Sequence, residues 1–169
     1  MCLITKQRAP EVAEEAITCY KAVDVLSRKE DIPEVFRSQY YLFCYELGKT
    51  YELDDWSKSI SFDNDCIPLP DPSGNICVSR GFHSFGRQVD AIRDIFDKNY
   101  EVILKCEIPK GARYWTGNQD LHDTDPNYRE YCSEKIRVVG WKFAKAGATW
   151  QFPEQKEEDP CVPGVATLK

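Results

Sequence analysis

The chain has 169 residues, a formal net charge of −6 and no dense cluster of Lys and Arg. This length suits one domain with its own core, and the acidic balance makes nucleic acid a poor candidate partner, because there is no general attraction to phosphate. No stretch approaches the roughly 20 apolar residues of a membrane-spanning helix. The sequence opens without an export signal, so we expect a cytoplasmic protein that does not contact a membrane.

The eight cysteines are expected to be reduced, because a cytoplasmic location disfavours disulfides. Their spacings match no common zinc pattern. The "HDTD" segment, with His122, Asp123 and Asp125, could gather a cation, but such polar loops are common and we predict no metal site. Cys77 and His83 are six residues apart on one extended run, which is too far for a catalytic hydrogen bond.

The first half of the chain predicts one helix and several strands. "APEVAEEAI" has a proline and acidic residues that suit the first turn of a short helix. "ITCYKAVDVL" (17–26) is rich in strand formers, whereas the charged segment 27–36 contains Pro33 and predicts a loop. "QYYLFCYELGKTYEL" predicts two short strands joined by a turn at Gly48, and residues 54–75 predict a long loop or insertion.

The second half predicts two strands, a helix between them and a last strand. "ICVSRGFHSF" predicts a strand, and "GRQVDAIRDIFDKN" a helix whose apolar face carries Val89, Ile92, Ile95 and Phe96. "YEVILKCEIPKG" alternates apolar and charged residues and is the clearest strand, and "YCSEKIRVVGW" predicts the last one. We therefore predict one domain over residues 1–150, and an extended or loosely held tail over 151–169.

This order of elements predicts the α+β class, with a curved, mainly antiparallel split sheet and one or two packed helices. From "GFHSF" onward, through "AIRDIF", "EVILKCEIPKGARYW" and "SEKIRVVG", the chain resembles the second half of ADP-ribosyltransferase-like domains. The segments "MCLITKQ", "CYKAV", "YELGKTYEL", "GFHSF" and "IPKGARYW" also resemble a family of small uncharacterised proteins of bacteriophages and gut Bacteroidales. The second resemblance spans nearly the full length and implies an origin, but no chemistry.

The transferase resemblance implies a site for NAD. Cleavage of the nicotinamide bond requires a carboxylate that stabilises positive charge on the ribose. Residue by residue, the resemblance places ligand-binding roles on Tyr20, Lys21, His83 and Ser84, and the catalytic role on Glu134. Lys21 offers a point charge where the family has the planar fork of arginine. Glu134 lies one residue before the family position, which reverses its face on a strand, so the domain lacks the catalytic carboxylate unless a bulge restores it.

Ordinary structural roles also fit these residues. His83 between two phenylalanines is typical of a half-buried histidine bonded to backbone, and Glu134 at a strand start is typical of a solvated residue. Because neighbouring side chains on a strand point to opposite faces, only one of His83 and Ser84 can line a cleft, and we expect Ser84.

Three functions stay open at this point. We favour a phage-type accessory protein whose domain is non-catalytic and binds a nucleotide-like ligand or a host protein. An active NAD-dependent ADP-ribosyltransferase or NAD glycohydrolase using Glu134 is the first alternative. A structural or interaction protein with a vestigial cleft is the second.

Overall fold

The computed structural model describes residues 3–29, 32–38, 43–54, 60–61, 74–98, 101–117, 125 and 127–153, with side chains left out at 60–61 and 94–98. Within these ranges the chain forms thirteen strands and one helix. No helix in the described part of the chain is both long enough and apolar enough to cross a membrane.

All strand pairs among the described residues are antiparallel. The first six strands are β1 (Leu3–Thr5), β2 (Glu11–Val12), β3 (Ile17–Lys29), β4 (Ile32–Arg37), β5 (Cys44–Glu46) and β6 (Thr50–Glu52). The middle elements are β7 (Ile60–Ser61), β8 (Ile76–Val78), β9 (Phe82–Phe85) and the helix α1 (Gln88–Lys98). The last four strands are β10 (Val102–Ile108), β11 (Arg113–Gly117), β12 (Glu130–Ser133) and β13 (Lys135–Phe143).

The large sheet has the order β2-β11-β12-β9-β3-β10-β13-β6, and β4 and β5 extend it from β3. The long β3 has three partner strands: residues 17–23 pair with β10, residues 24–29 pair with β4, and Tyr20 pairs with Phe85 of β9. After β5 the chain turns at Gly48, which has a φ of 81° that favours glycine. This turn brings Tyr45 of β5 close to Tyr51 of β6, and the centroids of the two rings are 5.5 Å apart. The sheet is therefore curved, with an inner face that encloses most of the core.

The inner face is apolar because every second residue of the central strands points into it. On β3 these residues are Cys19 and Val23, and on β10 they are Leu104 and Cys106, all with no exposed surface. The remaining buried members of this cluster are Ala13, Phe36, Tyr45, Phe82, Val102, Ile108, Ala112, Tyr131, Ile136, Val138 and Trp141. Burial of this much apolar surface is the main stabilising term of the fold.

The helix α1 covers part of the outer face of the large sheet. Its Ala91 is buried against Phe85 of β9 and Ile103 of β10. The predicted apolar face of the helix is partly wrong, because Val89 is 54% exposed whereas Asp90 is buried. Asp90 takes the inward position because its carboxylate has a cationic partner, which offsets the cost of burying a charge.

A separate three-stranded sheet, with the order β1-β8-β7, lies against another part of the outer face. Leu3 of β1 and Val78 of β8 pack on Trp115 of β11 and Cys132 of β12, and all four are nearly or fully buried. This small sheet covers Trp115 of β11 and the outer side of β12, so all four residues of β12 are buried, whereas Arg113 of β11 is exposed.

Several predicted elements are confirmed. The α+β class and the mainly antiparallel, curved sheet agree with the structure, which describes one helix. The predicted strand at 17–26 is β3, the alternating strand is β10, and the helix begins where its sequence pattern begins. The two short strands around Gly48 are β5 and β6. These elements have strong local hydrophobic patterns, which were sufficient to predict them from the sequence.

The predicted N-terminal helix is wrong. Its residues instead form β2 and an irregular segment, in which the Ala13 N–H donates to the Ala112 carbonyl oxygen at 2.9 Å and the Gly111 N–H donates to the Ala13 carbonyl oxygen at 2.8 Å. Glu14, Glu15 and Ala16 are exposed. Pairing of Glu11 and Val12 with β11 satisfies the backbone of this segment and overrides the local helix signal.

The predicted loop at 27–36 is also wrong, because β3 continues to Lys29 and β4 includes Pro33. The pairing of β3 with β4 has register shifts on either side of Ser27, and Pro33 lies opposite Arg28 at this irregular place. Proline lacks a backbone N–H and is tolerated in sheets at such bulges.

Two predicted single strands are each divided in the structure. The segment 76–85 forms β8 in the small sheet and β9 in the large one, and the last strand is interrupted at Glu134 between β12 and β13. Both breaks occur where the chain changes its partners, which a local pattern does not reveal.

The division into a domain and a tail stays a prediction. Of the predicted loop 54–75, residues 55–59 and 62–73 lie outside the described residues, as does the predicted tail from residue 154 onward. Gln151 exchanges two backbone hydrogen bonds with Trp141, at 2.8 and 2.9 Å, so the first residues after 150 are attached to β13.

Substitution of Gly117 tests how closely the small sheet packs on the large one. A Cβ atom at this position would overlap the Ile4 carbonyl oxygen of β1. We expect Gly117→Ala to push β1 outward and lower the free energy of unfolding by about 1–3 kcal/mol, as overpacking does. Gly111→Ala is the control for space, because a Cβ there meets nothing within 4 Å and its cost comes only from its φ of 82°. A Gly117→Ala protein that is as stable as wild type in urea would contradict the close packing.

Candidate functional site

Lys21 lies in the interior of the curved sheet. It shares the inner face of β3 with Cys19 and Val23 and is 8% exposed. Its ammonium group donates a hydrogen bond to the His83 carbonyl oxygen and lies 5.5 Å from the centre of the Tyr45 ring. Hydrogen bonding and the electron-rich ring face both stabilise a buried cation. The amine therefore ties β3 to β9 inside the core.

Ser84 and His83 point to opposite faces of β9, as strand alternation predicts. Ser84 faces the inner side, opposite Tyr131 in the pairing with β12, and is 4% exposed. Its hydroxyl lies beside the Cys19 thiol. Burial raises the pKa of Cys19 to about 11, and the Ser84 hydroxyl and the Lys21 charge offset only part of that rise.

His83 faces the outer side of the sheet and is buried under the small sheet. Its Nε2 atom lies 3.6 Å from the Cys132 Sγ atom, which also contacts the Arg80 carbonyl oxygen at 3.5 Å. Burial, followed by the positive charge of Lys21, lowers the pKa of His83 to about 3. The imidazole is therefore neutral at physiological pH. Sequence reasoning considered Cys77 near His83 and missed Cys132, because only the pairing of β12 with β9 brings these two residues together.

Tyr20 lies on the outer face of β3, opposite to Lys21. Its ring contacts Trp150 with centroids 6.1 Å apart, and it pairs with Phe85 of β9. The structure therefore gathers Lys21 and Ser84 on the inner face, and places Tyr20 and His83 on the outer one.

Glu134 lies at the break between β12 and β13, and Arg113 holds its carboxylate. The Arg113 backbone N–H donates to Oε1 at 2.9 Å, and Nε and Nη2 of its guanidinium lie 2.8 and 2.7 Å from Oε2. Burial on its own raises the pKa of Glu134, but the hydrogen bonds and charge of Arg113 outweigh it, and the pKa lies below the ordinary value.

The structure does not bring Glu134 to Lys21 and Ser84. Tyr131 lies opposite Ser84 in the pairing of β12 with β9, and Glu134 comes three residues after Tyr131. That distance is about 10 Å along a strand. Sequence reasoning missed Arg113, although a basic residue near a buried carboxylate is the usual partner. The two are 21 residues apart in the chain, so no local pattern connects them.

An open, acidic pocket lies beside β2, which is the edge strand of the large sheet among the described residues. It has a volume of about 640 Å³ and is lined by Glu11, Val12, Glu14, Glu15, Ala16, Ile17 and Tyr114. The Tyr114 hydroxyl donates to Glu11 at 2.7 Å. Burial and this carboxylate raise the pKa of Tyr114 to about 12. Of the three carboxylates around the opening, Glu15 pairs with the Lys110 ammonium group at 2.9 Å, so the balance is still negative and favours a cationic group over phosphate.

Arg87 and Asp90 form a second charged cluster, at the start of α1. Nε and Nη2 of Arg87 each donate at 2.8 Å to the buried Asp90 carboxylate, and Nη2 also donates to Asp125 at 2.7 Å. The arrangement connects the helix start to residue 125. The contact between Arg87 and Asp90 could have been predicted from the sequence, because side chains three residues apart are neighbours on a helix.

The described residues contain no group of three or more His, Cys, Asp or Glu side chains placed to hold a metal ion. Of the "HDTD" residues, His122 and Asp123 lie outside the described part, and Asp125 accepts from Arg87. Comparison with protein-family models, with curated proteins and with solved structures gives no match for this chain.

The Glu134–Arg113 contact predicts a pH-dependent loss of stability. We expect Glu134→Gln to lower the free energy of unfolding at pH 7 by about 1–2 kcal/mol, because a charge-assisted hydrogen-bond pair is weakened. The folded-state pKa lies below the ordinary value of 4.5, so the carboxylate contributes fully above that pH. The contribution is lost as the pH falls through the folded-state pKa. The stability difference between wild type and variant should therefore shrink below about pH 4.

Urea titrations between pH 3 and pH 7 measure this difference. Glu46→Gln is the matched control, because Glu46 forms an exposed ion pair with Lys49 and its loss should change stability little. A Glu134→Gln protein with unchanged stability, or a difference that grows at low pH, would contradict the structural role of the carboxylate.

Thiol accessibility tests the placement of the cysteines. None of the five described cysteines forms a disulfide; Cys44 is exposed, and Cys19, Cys77, Cys106 and Cys132 are buried. In native protein at pH 8, replacing Cys44 by Ser should reduce the number of thiols that react fast with a thiol reagent by one. Replacing Cys19 by Ala should leave that number unchanged. Denatured protein should titrate all eight thiols without reductant. Fewer than eight would count against a reducing compartment.

Proposed function

We propose that this protein is a non-catalytic binding domain of the ADP-ribosyltransferase-like type, a phage-type accessory protein that acts in the cytoplasm. The order of strand β9, helix α1, strand β10 and strand β13 supports the fold assignment, since it follows the order of the resemblance. The five described cysteines form no disulfide with one another, which agrees with a cytoplasmic location.

One observation carries the non-catalytic assignment. Three hydrogen-bonding contacts from Arg113 occupy the Glu134 carboxylate, and its side chain is only 11% exposed. A carboxylate that stabilises a ribose cation must face the reacting carbon and keep its negative charge available to it. An arginine bound to both oxygens neutralises that charge before substrate arrives.

The other residues of the implied site support the same conclusion. Lys21, His83 and Ser84 are each no more than 8% exposed. Lys21 already donates to the backbone of β9, and the His83 imidazole is neutral. In this proposal these side chains hold β3, β9 and β12 together, and their predicted role as ligand contacts stays a prediction. The ligand is nucleotide-like, with NAD as one candidate.

Binding of a host protein is a second candidate, and the edge at β2 favours it. Val12 on this edge is 57% exposed, beside the acidic pocket defined above. An exposed strand edge is a ready template for pairing with a strand of another chain. The carboxylates around it would select a basic partner.

Incubation with millimolar NAD tests the proposal. We expect no nicotinamide release above a protein-free blank, and no difference between wild type and Glu134→Gln. Melting scans with NAD and ADP-ribose should show a shift, because a ligand at 100 times its dissociation constant adds about 2.7 kcal/mol of stability. Nicotinamide release that disappears in Glu134→Gln would show an active transferase or glycohydrolase. No shift with any nucleotide would favour the protein-binding candidate.

A further inference from the structure

A group of lysine and aromatic side chains lies on the outer face of the large sheet, next to the area that α1 covers. Its members, which we call the lysine–aromatic surface, are Tyr20, Lys105, Lys142, Trp150 and Phe152. Phe152 is 56% exposed, and the other four are half-buried. Of these five residues, only Tyr20 was predicted from the sequence as a site residue.

Strand pairing places these side chains on one face. Lys105 of β10 lies directly opposite Tyr20 of β3, and Lys142 of β13 lies opposite Ile103 of β10. Directly opposed residues in antiparallel strands point to the same side of a sheet. Ile103 contacts the helix, so this side is the outer one.

The segment after β13 supplies the two large rings. Gln151 pairs with Trp141 through two backbone hydrogen bonds, which directs the flanking Trp150 and Phe152 over the sheet. Gly140 makes room for Phe152, because a Cβ at that position would come within 3.0 Å of the ring. The Lys142 ammonium group lies 5.0 Å from the Trp150 ring centre, and the Lys105 ammonium group lies 5.8 Å from the Phe152 ring centre.

This surface is cationic although the whole chain has a net charge of −6. Among the described residues, neither Lys105 nor Lys142 forms an ion pair with a carboxylate. On the same face, Asp24 lies four residues along β3 from Tyr20, and Glu107 lies two residues from Lys105 and opposite Arg137. Two ammonium groups without a carboxylate partner beside an exposed ring are suited to an anion that also carries a flat, apolar group.

We propose that the lysine–aromatic surface binds a nucleotide, with the base stacked on Phe152 and the phosphate held by Lys105 and Lys142. This inference rests on the proposed function as a binding domain and assigns the ligand to the outer face instead of the buried residues Lys21 and Ser84. Stacking on an aromatic ring tolerates any base, so the surface would be selective for phosphate more than for base identity. The acidic pocket at β2 repels the same ligand.

Calorimetric titration of the full chain with AMP at low ionic strength tests this assignment. We expect Lys105→Ala/Lys142→Ala to weaken AMP binding at least tenfold, because two phosphate contacts are lost. Phe152→Leu keeps the apolar volume but removes the ring, and should weaken binding several-fold. Lys49→Ala is the matched control, since Lys49 is an exposed lysine that pairs with Glu46 and is not a member of the lysine–aromatic surface. Its affinity for AMP should equal that of wild type.

Further ligands separate the contributions of base and phosphate. Adenosine should bind more weakly than AMP, inorganic phosphate should compete weakly, and 0.5 M salt should reduce AMP binding. Thermal melting of each variant shows whether it folds, and the single variants Lys105→Gln and Lys142→Gln replace the double variant if it does not. No binding of AMP at millimolar concentration, binding unchanged in the surface variants, or binding only of an acidic peptide would each overturn the assignment. Nicotinamide release from NAD would instead refute the proposed function, because it depends on Glu134 and not on this surface.

Discussion

The antiparallel pairing of β3 with β10 is the constraint on which the rest of the structure depends. Seven consecutive residue pairs, from Ile17 with Ile108 to Val23 with Val102, join the two strands without a register shift. Because side chains alternate, this single register decides which residues enter the core. A slip of one residue would exchange Tyr20 for Lys21 on the inner face. The buried amine and the outer aromatic surface are therefore two consequences of one pairing.

Burial of Lys21 is costly unless its charge is compensated, and the fold supplies that compensation from two directions. The His83 carbonyl oxygen accepts a hydrogen bond from one side, and the Tyr45 ring lies 5.5 Å from the ammonium group on another. Any packing of β9 or β5 that moved these groups away would leave a buried charge with less stabilisation, which penalises alternative arrangements. The lysine thus adds specificity to a core whose apolar residues alone tolerate many packings.

Charge is distributed unevenly over the surface. The edge at β2 carries Glu11, Glu14 and Glu15 around an open pocket, whereas the outer face near β13 carries lysines over aromatic rings. The net charge of −6 is therefore not spread evenly over the described surface. The carboxylate that transferase chemistry would use belongs to neither region, since Arg113 binds it.

The sequence by itself determined the features that depend on residues close together in the chain. The period-two pattern of β10, the strand formers of β3 and the helical spacing of α1 are local, and so is the opposite orientation of His83 and Ser84. Composition also determined the acidic balance of the chain. These predictions succeeded because backbone geometry converts a local pattern directly into faces.

Only the tertiary structure decided which groups meet. Lys21 and the His83 carbonyl oxygen are 62 residues apart, and Arg113 and Glu134 are 21 apart. Pairing with β11 converted a predicted helix into β2, and a bulge accommodated Pro33 in β4. Trp150 reached Tyr20 only because Gln151 pairs with Trp141. The physical reason is the same in each case. Strand pairing depends on the apolar surface that is buried and the hydrogen bonds that are formed across the whole sheet, and a local sequence pattern does not contain that information.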